Sequence, residues 1–87
     1  MRAVITVIGE DKVGILAKVS TTCAEANANV IEVTQSVLQE YFAMIMLIDI
    51  GKMTIDIKTL QDNLEKNVDD MVIHVMHEDI FNSMHRV

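Results

Sequence analysis

The chain has 87 residues, 51% of them hydrophobic but only 3% aromatic, so one core has to be built from Ile, Val, Leu and Met. Its formal charge of −6, with seven basic residues scattered singly, excludes a general affinity for nucleic acid or anionic membrane, because neutralising phosphates takes clustered Lys and Arg. A lone cysteine excludes an intrachain disulfide and a CxxC redox or metal motif, and no apolar run approaches the ~20 residues of a membrane span.

In chain order, Arg2 to Ile8 is rich in Val and Ile and alternates imperfectly, as does a strand buried on much of both faces. The polar stretch Gly9-Glu10-Asp11-Lys12-Val13-Gly14 then leads into Ile15 and Leu16, where a helical period begins. A helix opening behind a glycine leaves backbone N–H groups without intrahelical partners, at the positive end of the helix dipole, which suits a small carboxylate or phosphate. Gly14 lacks a Cβ, so a ligand or a neighbouring backbone can approach it. An ordinary tight βα turn would have the same local sequence.

Leu16, Val19, Cys23 and Ala26 form the first helical stripe, with Cys23 read as a small core residue. Asn27-Ala28-Asn29 stops the helix, since asparagine tolerates the left-handed conformation. Val30 to Leu38 is a second strand, with Ile31, Val33 and Val37 on one face and Glu32, Thr34 and Ser36 on the other, the pattern of an edge strand. Gln39-Glu40 is a two-residue turn, and Tyr41 to Asp49 is a third strand, central and covered on both faces. After Gly51-Lys52-Met53, Thr54 or Asp56 caps a second helix carrying Ile57, Leu60, Leu64 and Val68. Asp69-Asp70 ends it, Met71 to His77 is a fourth strand, and Asp79 caps a short last helix with Ile80, Met84 and Val87 in its stripe.

The order β-α-β-β-α-β plus a C-terminal helix predicts an α+β, ferredoxin-like antiparallel sheet, residues 1–87 forming a single domain with both long helices on one face. The third strand is apolar on both sides, so the last helix, a second protomer or both must cover the other face. The N-terminus does not read as a signal peptide, and the chain is expected to be soluble and cytoplasmic.

With the first loop, the first helix and the second strand in place, the sequence resembles an ACT domain. The carriers are Ile5-Thr6-Val7-Ile8-Gly9, then Asp11-Lys12-Val13-Gly14-Ile15-Leu16, and Asn29-Val30-Ile31 opening the second strand. Thr34 to Leu38 with Glu40-Tyr41-Phe42, and the ending Ile80-Phe81 with Met84, resemble the small stand-alone ACT proteins of bacteria and archaea. The resemblance implies a non-catalytic regulatory module that binds an amino acid or similar effector between protomers, near the first loop of one and the second strand of its neighbour. It marks Asp11, Lys12, Val13, Gly14, Ile15, Leu16, Asn29 and Val30 as candidate effector-binding residues. Some ligand-binding members have asparagine where this chain has Asp11. An acid there repels an α-carboxylate and instead suits the effector's ammonium group, leaving the carboxylate to the N–H groups around Gly14 to Leu16.

Catalytic readings lack their residues. No nucleophile–base pair or carboxylate dyad falls at a predicted loop, and the arginine of an acylphosphatase phosphate loop is missing. The stacking aromatics of an RNA-binding sheet are missing too, since Tyr41 and Phe42 point to opposite faces. His74 and His77, three apart on a strand, also face opposite ways, so no metal or other cofactor is expected. The expected partners are the effector, a second copy in a homodimer or tetramer, and a regulated protein still to be named. The alternative is a structural or adaptor dimer that binds another protein without any small ligand.

Overall fold

The computed structural model describes residues 1–84; Val87 of the predicted last stripe, and His85, lie outside them. Its elements are β1 (Arg2–Glu10), α1 (Ile15–Glu25), β2 (Asn29–Leu38), β3 (Tyr41–Asp49), α2 (Ile57–Asn67), β4 (Met71–His77) and α3 (Glu78–Met84). Alternation on β3 sets the two faces of the sheet. Phe42, Met44, Met46 and Ile48 are buried under the helices, while Tyr41, Ala43 and Ile45 on the other face stay exposed. β3 pairs antiparallel with both β1 and β2, and β4 pairs antiparallel with β1, giving the order β2-β3-β1-β4. This is the ferredoxin-like arrangement expected, with β3 central and β2 at an edge, although β3 is left exposed at Tyr41, Ala43 and Ile45 rather than covered on both faces.

The core lies between the sheet and the two long helices. Ile5, Val7 and Ile73 from the sheet meet Val19 and Cys23 of α1 and Leu60 and Leu64 of α2, all at most 1% exposed. Truncating either leucine to alanine would cost about 2–5 kcal/mol through lost burial and the cavity left behind. Burial pushes the Cys23 thiol up to about 11, so at neutral pH it stays an uncharged core group. Thr22 is buried because its hydroxyl is used twice: it donates to the Lys18 carbonyl at 2.8 Å and accepts from Asn67 Nδ2 at 3.0 Å, tying α1 to α2. On the β4 edge, the Val75 N–H donates to Gln61 Oε1 of α2 at 2.9 Å.

Three local readings need correction. The α1 stripe keeps Val19, Cys23 and Ala26 but begins one residue earlier: Ile15, four residues before Val19, is buried and Leu16 is 37% exposed. On β2 the face assignment slips at a bulge. Val30 pairs with Ile48 and Val33 with Met46, on the helix side, and Ile31 is the extra residue between them, so the face partners of Val33 are Gln35 and Val37. The last helix begins at Glu78, directly after β4, with Asp79 already inside its first turn. Other boundaries match their chemistry. Asn27 takes φ 59° at the end of α1, with Ala28 N–H donating to the Cys23 carbonyl and Asn27 N–H to the Ala24 carbonyl, a Schellman closure. Asp56, not Thr54, caps α2, its Oδ1 accepting from the Thr59 N–H at 2.8 Å.

Candidate functional site

The β1–α1 connection is short and held at both sides. Asp11 N–H donates to the Glu40 carbonyl of the β2–β3 turn at 2.7 Å. Lys12 Nζ lies 2.7 Å from Asp70 Oδ2, just ahead of β4. That contact raises the lysine above its ordinary value and holds the Asp70 carboxyl below its own, the hydrogen bond between them being the leading cause in each case. Lys12 is therefore turned toward β4. Val13, next in line, is fully exposed at the loop tip.

Gly14 takes φ 85° as the residue before α1, a left-handed conformation that disfavours side chains. A Cβ there would meet nothing within 4 Å, so conformation rather than crowding calls for the glycine, and the space beside it is open. Among the described residues no side chain caps α1, and its first turn carries no acid. The N–H groups of the first turn, Ile15 and Leu16 among them, thus have neither an intrahelical partner nor a capping side chain. Ile15 itself belongs to the core at 4% exposed, so it can contribute only backbone. The close approach predicted for Gly14 occurs instead at Gly9, where a Cβ would come 2.5 Å from Met71 Sδ and 3.0 Å from the Asp70 carbonyl.

Asn29 and Val30 lie at the other end of the sheet. Asn29 pairs with Asp49, which on its other side pairs with Arg2, whereas Glu10 pairs with Tyr41 beside the first loop. At ~3.3 Å per residue the two groups stand roughly 25–30 Å apart within one chain. The structure brings Asp11 to Leu16 together as one cluster, and Asn29 with Val30 as another. Asn29 also borders a cavity of about 510 Å³ lined by Met1, Asn27, Asp49, Gly51 and Lys52. Sequence reading passed over Asp49 and Lys52. Their signal was the Asp49-Ile50-Gly51 turn, in which Asp49 Oδ1 accepts the Gly51 N–H at 2.8 Å.

A family model described as the ACT domain matches residues 2–78. The chain belongs to the ACT domain family. It is 48% identical over 92 residues to a UPF0237 protein of Clostridium perfringens, covering 100% of both chains. A UPF0237 protein of Methanocaldococcus jannaschii is 44% identical over 88 residues, 99% of this chain and 98% of that one. Among solved structures, an ACT domain protein from Streptococcus pneumoniae superposes with a TM-score of 0.74 at 34% identity, over 98% of each chain. ACT domains are regulatory, ligand-binding modules, which places this chain in a regulatory family. Within one chain the two clusters lie at opposite ends of the sheet, too far apart to border one small ligand together. His74 sits on the face away from the long helices and His77 at the opposite face, and among the described residues no group of three or more His, Cys, Asp and Glu side chains gathers to hold a metal ion. No helix among the described residues is long and apolar enough to cross a membrane.

Proposed function

We propose that this chain is a non-catalytic regulatory dimer of the cytoplasm that binds a small zwitterion, an amino acid or close analogue, in a cleft completed by a second copy. The observation that carries the reading is the uncapped start of α1: Gly14 at φ 85°, open space around it, and first-turn N–H groups with no side-chain cap at the positive end of the helix. Those donors suit a carboxylate, and the exposed Asp11 carboxylate beside them suits an ammonium group. The two tethers on the loop support a preformed cleft, since ordering costs are met by Glu40 and Asp70 before a ligand arrives.

The second copy is argued from β2. Among the described residues its outer edge has no strand beside it, and Ile31 and Val37 are 46% and 53% exposed along it. Antiparallel pairing of β2 with β2 across a two-fold axis near Val33 and Thr34 would set Asn29 of one copy opposite Leu38 of the other. That end of β2 lies beside the first loop, through the Asp11–Glu40 hydrogen bond. The effector regulates by preferring one dimer geometry, or one partner-bound state, over the other.

Calorimetry with the common amino acids should find one that binds, with Asp11→Ala weakening it while the fold remains. If none gives heat at millimolar concentration and the dimer is intact, the effector reading is wrong, and a protein-binding adaptor takes its place.

A further inference from the structure

The face of the sheet turned away from α1 and α2 is covered over only half its length. α3 leaves directly from β4 and is fastened to the start of β1: Arg2 Nε donates to Glu78 Oε1 at 3.0 Å, and Nη2 lies 2.7 Å from Oε2. At that end the face is closed, with Val4 only 3% exposed although it points away from the long helices. Toward the β2–β3 turn the cover stops. Leu38 is 73% exposed, Tyr41 60%, Val72 60%, Ile8 53% and Ile45 46%, and Met84 on α3 is 65% exposed.

The pairing register sets the sheet residues in adjacent rows. Leu38, Tyr41 and Glu10 form one, Ser36, Ala43, Ile8 and Val72 the next, and Thr34, Ile45, Thr6 and His74 the third. These six large apolar residues, each of roughly 200 Å² when free, leave on the order of 700 Å² of apolar-rich surface. That exceeds the ~300–600 Å² of the largest patch on an ordinary monomer and approaches the ~800 Å² per partner of a stable interface.

We infer that this half-bare face docks against the same face of a second copy about a two-fold axis, as an interface separate from the β2 edge. Charge selects the occupant. The chain carries 13 acidic against seven basic residues, so two copies repel over most of their surfaces. The second and third rows hold no carboxylate, and Glu10 and Glu32 fall outside them. A two-fold contact sets like against like, and through these two rows it does so without facing carboxylates, Glu10 staying at the margin in the first row. An anionic membrane or a nucleic acid would need cations, and among the described residues the arginine on the face, Arg2, is occupied by Glu78. Shape agrees with charge. A cleft of about 270 Å³ opens between α3 and the sheet, lined by Ile8, Ala43, Ile45, His74, Phe81 and Met84. Tyr41 and Leu38 stand one row from Ala43 and Ile8, so a two-fold placed between them seats each copy's protruding pair toward the other's cleft. A chain that used both this face and its β2 edge would assemble beyond a dimer, as a tetramer where the two axes close.

Sedimentation of the wild type, Ile45→Glu and Val72→Glu across a concentration series tests the interface, with far-UV circular dichroism to establish that each variant is folded. The expected result is that each glutamate halves the wild-type mass, and that the milder Tyr41→Ala weakens self-association by roughly tenfold or more. A folded Ile45→Glu of unchanged mass overturns the inference. So does a wild type that is monomeric at millimolar concentration, including one that binds neutral phosphatidylcholine vesicles through this face instead. Calorimetry of Val72→Glu with an amino acid that binds wild type separates this inference from the effector reading, because Val72 lies on β4, at the sheet edge opposite β2.

Discussion

The two long helices are of equal length, 11 residues each, and their starts are built in opposite ways. α2 opens from Asp56 in an extended conformation, whose carboxylate accepts the Thr59 N–H, and Lys66 sits in its last turn. One of its first N–H groups is met by its own capping side chain and Lys66 complements the dipole at its far end, as suits a helix with no other task. α1 opens from a left-handed glycine with no capping side chain and no acid in its first turn. Its far end is closed well, by the Schellman hydrogen bonds around Asn27. The weakness is therefore local to one turn, and that turn is the one the loop tethers hold in place. A protein selected for stability alone would cap both helices. Leaving one start open costs stability and gains a set of donors.

The sharpest way to break this comparison is at Gly14. A β-branched side chain at φ 85° is strained, so Gly14→Val should lose about 2 kcal/mol, lowering Tm by roughly 10 °C, and should abolish effector heat. Gly14→Asn separates the two effects, because asparagine tolerates the left-handed region. It should keep most of the stability and still bind poorly, since its side chain would lie over the donors. If Gly14→Asn binds as wild type does, the open turn is merely a turn. The matching change at the other helix is Asp56→Ala. It should lower Tm by roughly 5 °C and leave binding unchanged, measured by thermal melts and calorimetry on the same samples.

What the sequence could reveal follows the same division. Ends dictated by one residue's chemistry were legible: Asn27 closes α1, Asp56 opens α2, and the apolar run from Tyr41 to Asp49 is the central strand. What depends on register was not. Nothing in Val30-Ile31-Glu32 announces that one residue drops out of pairing, because the slip is set by hydrogen bonds to β3 and not by alternation within β2. Leu16 and Ile15 are equally apolar, so which one meets the core depends on the residue at which the helix starts. The candidate site was readable as a loop, from Gly14 and its neighbours. Its partition was not, for the distance between Asp11 and Asn29 follows from strand pairing alone. The Asp49 and Lys52 cavity beside Asn29 likewise appears only when the two ends of the sheet are assembled.

The smallest expected effect concerns the Lys12–Asp70 tether, and its sign can be worked out. The folded state lowers Asp70 below its ordinary 3.8, so the pair contributes stability above that value and loses it as pH falls through the lowered one. Lys12 is raised above its ordinary 10.5, so the contribution is also present below that value and lost as pH rises past the raised one. Between those limits the stability difference between wild type and Asp70→Asn should be flat, shrinking only at either end. Both groups are exposed, so screening keeps the difference small, and added salt should reduce it further. Binding should respond more than stability does. In the proposed cleft the tether orders the short loop that carries the donors, so Asp70→Asn should weaken effector heat at neutral pH while scarcely moving Tm. Equal binding by the two proteins would mean that the Asp11–Glu40 hydrogen bond holds the loop unaided.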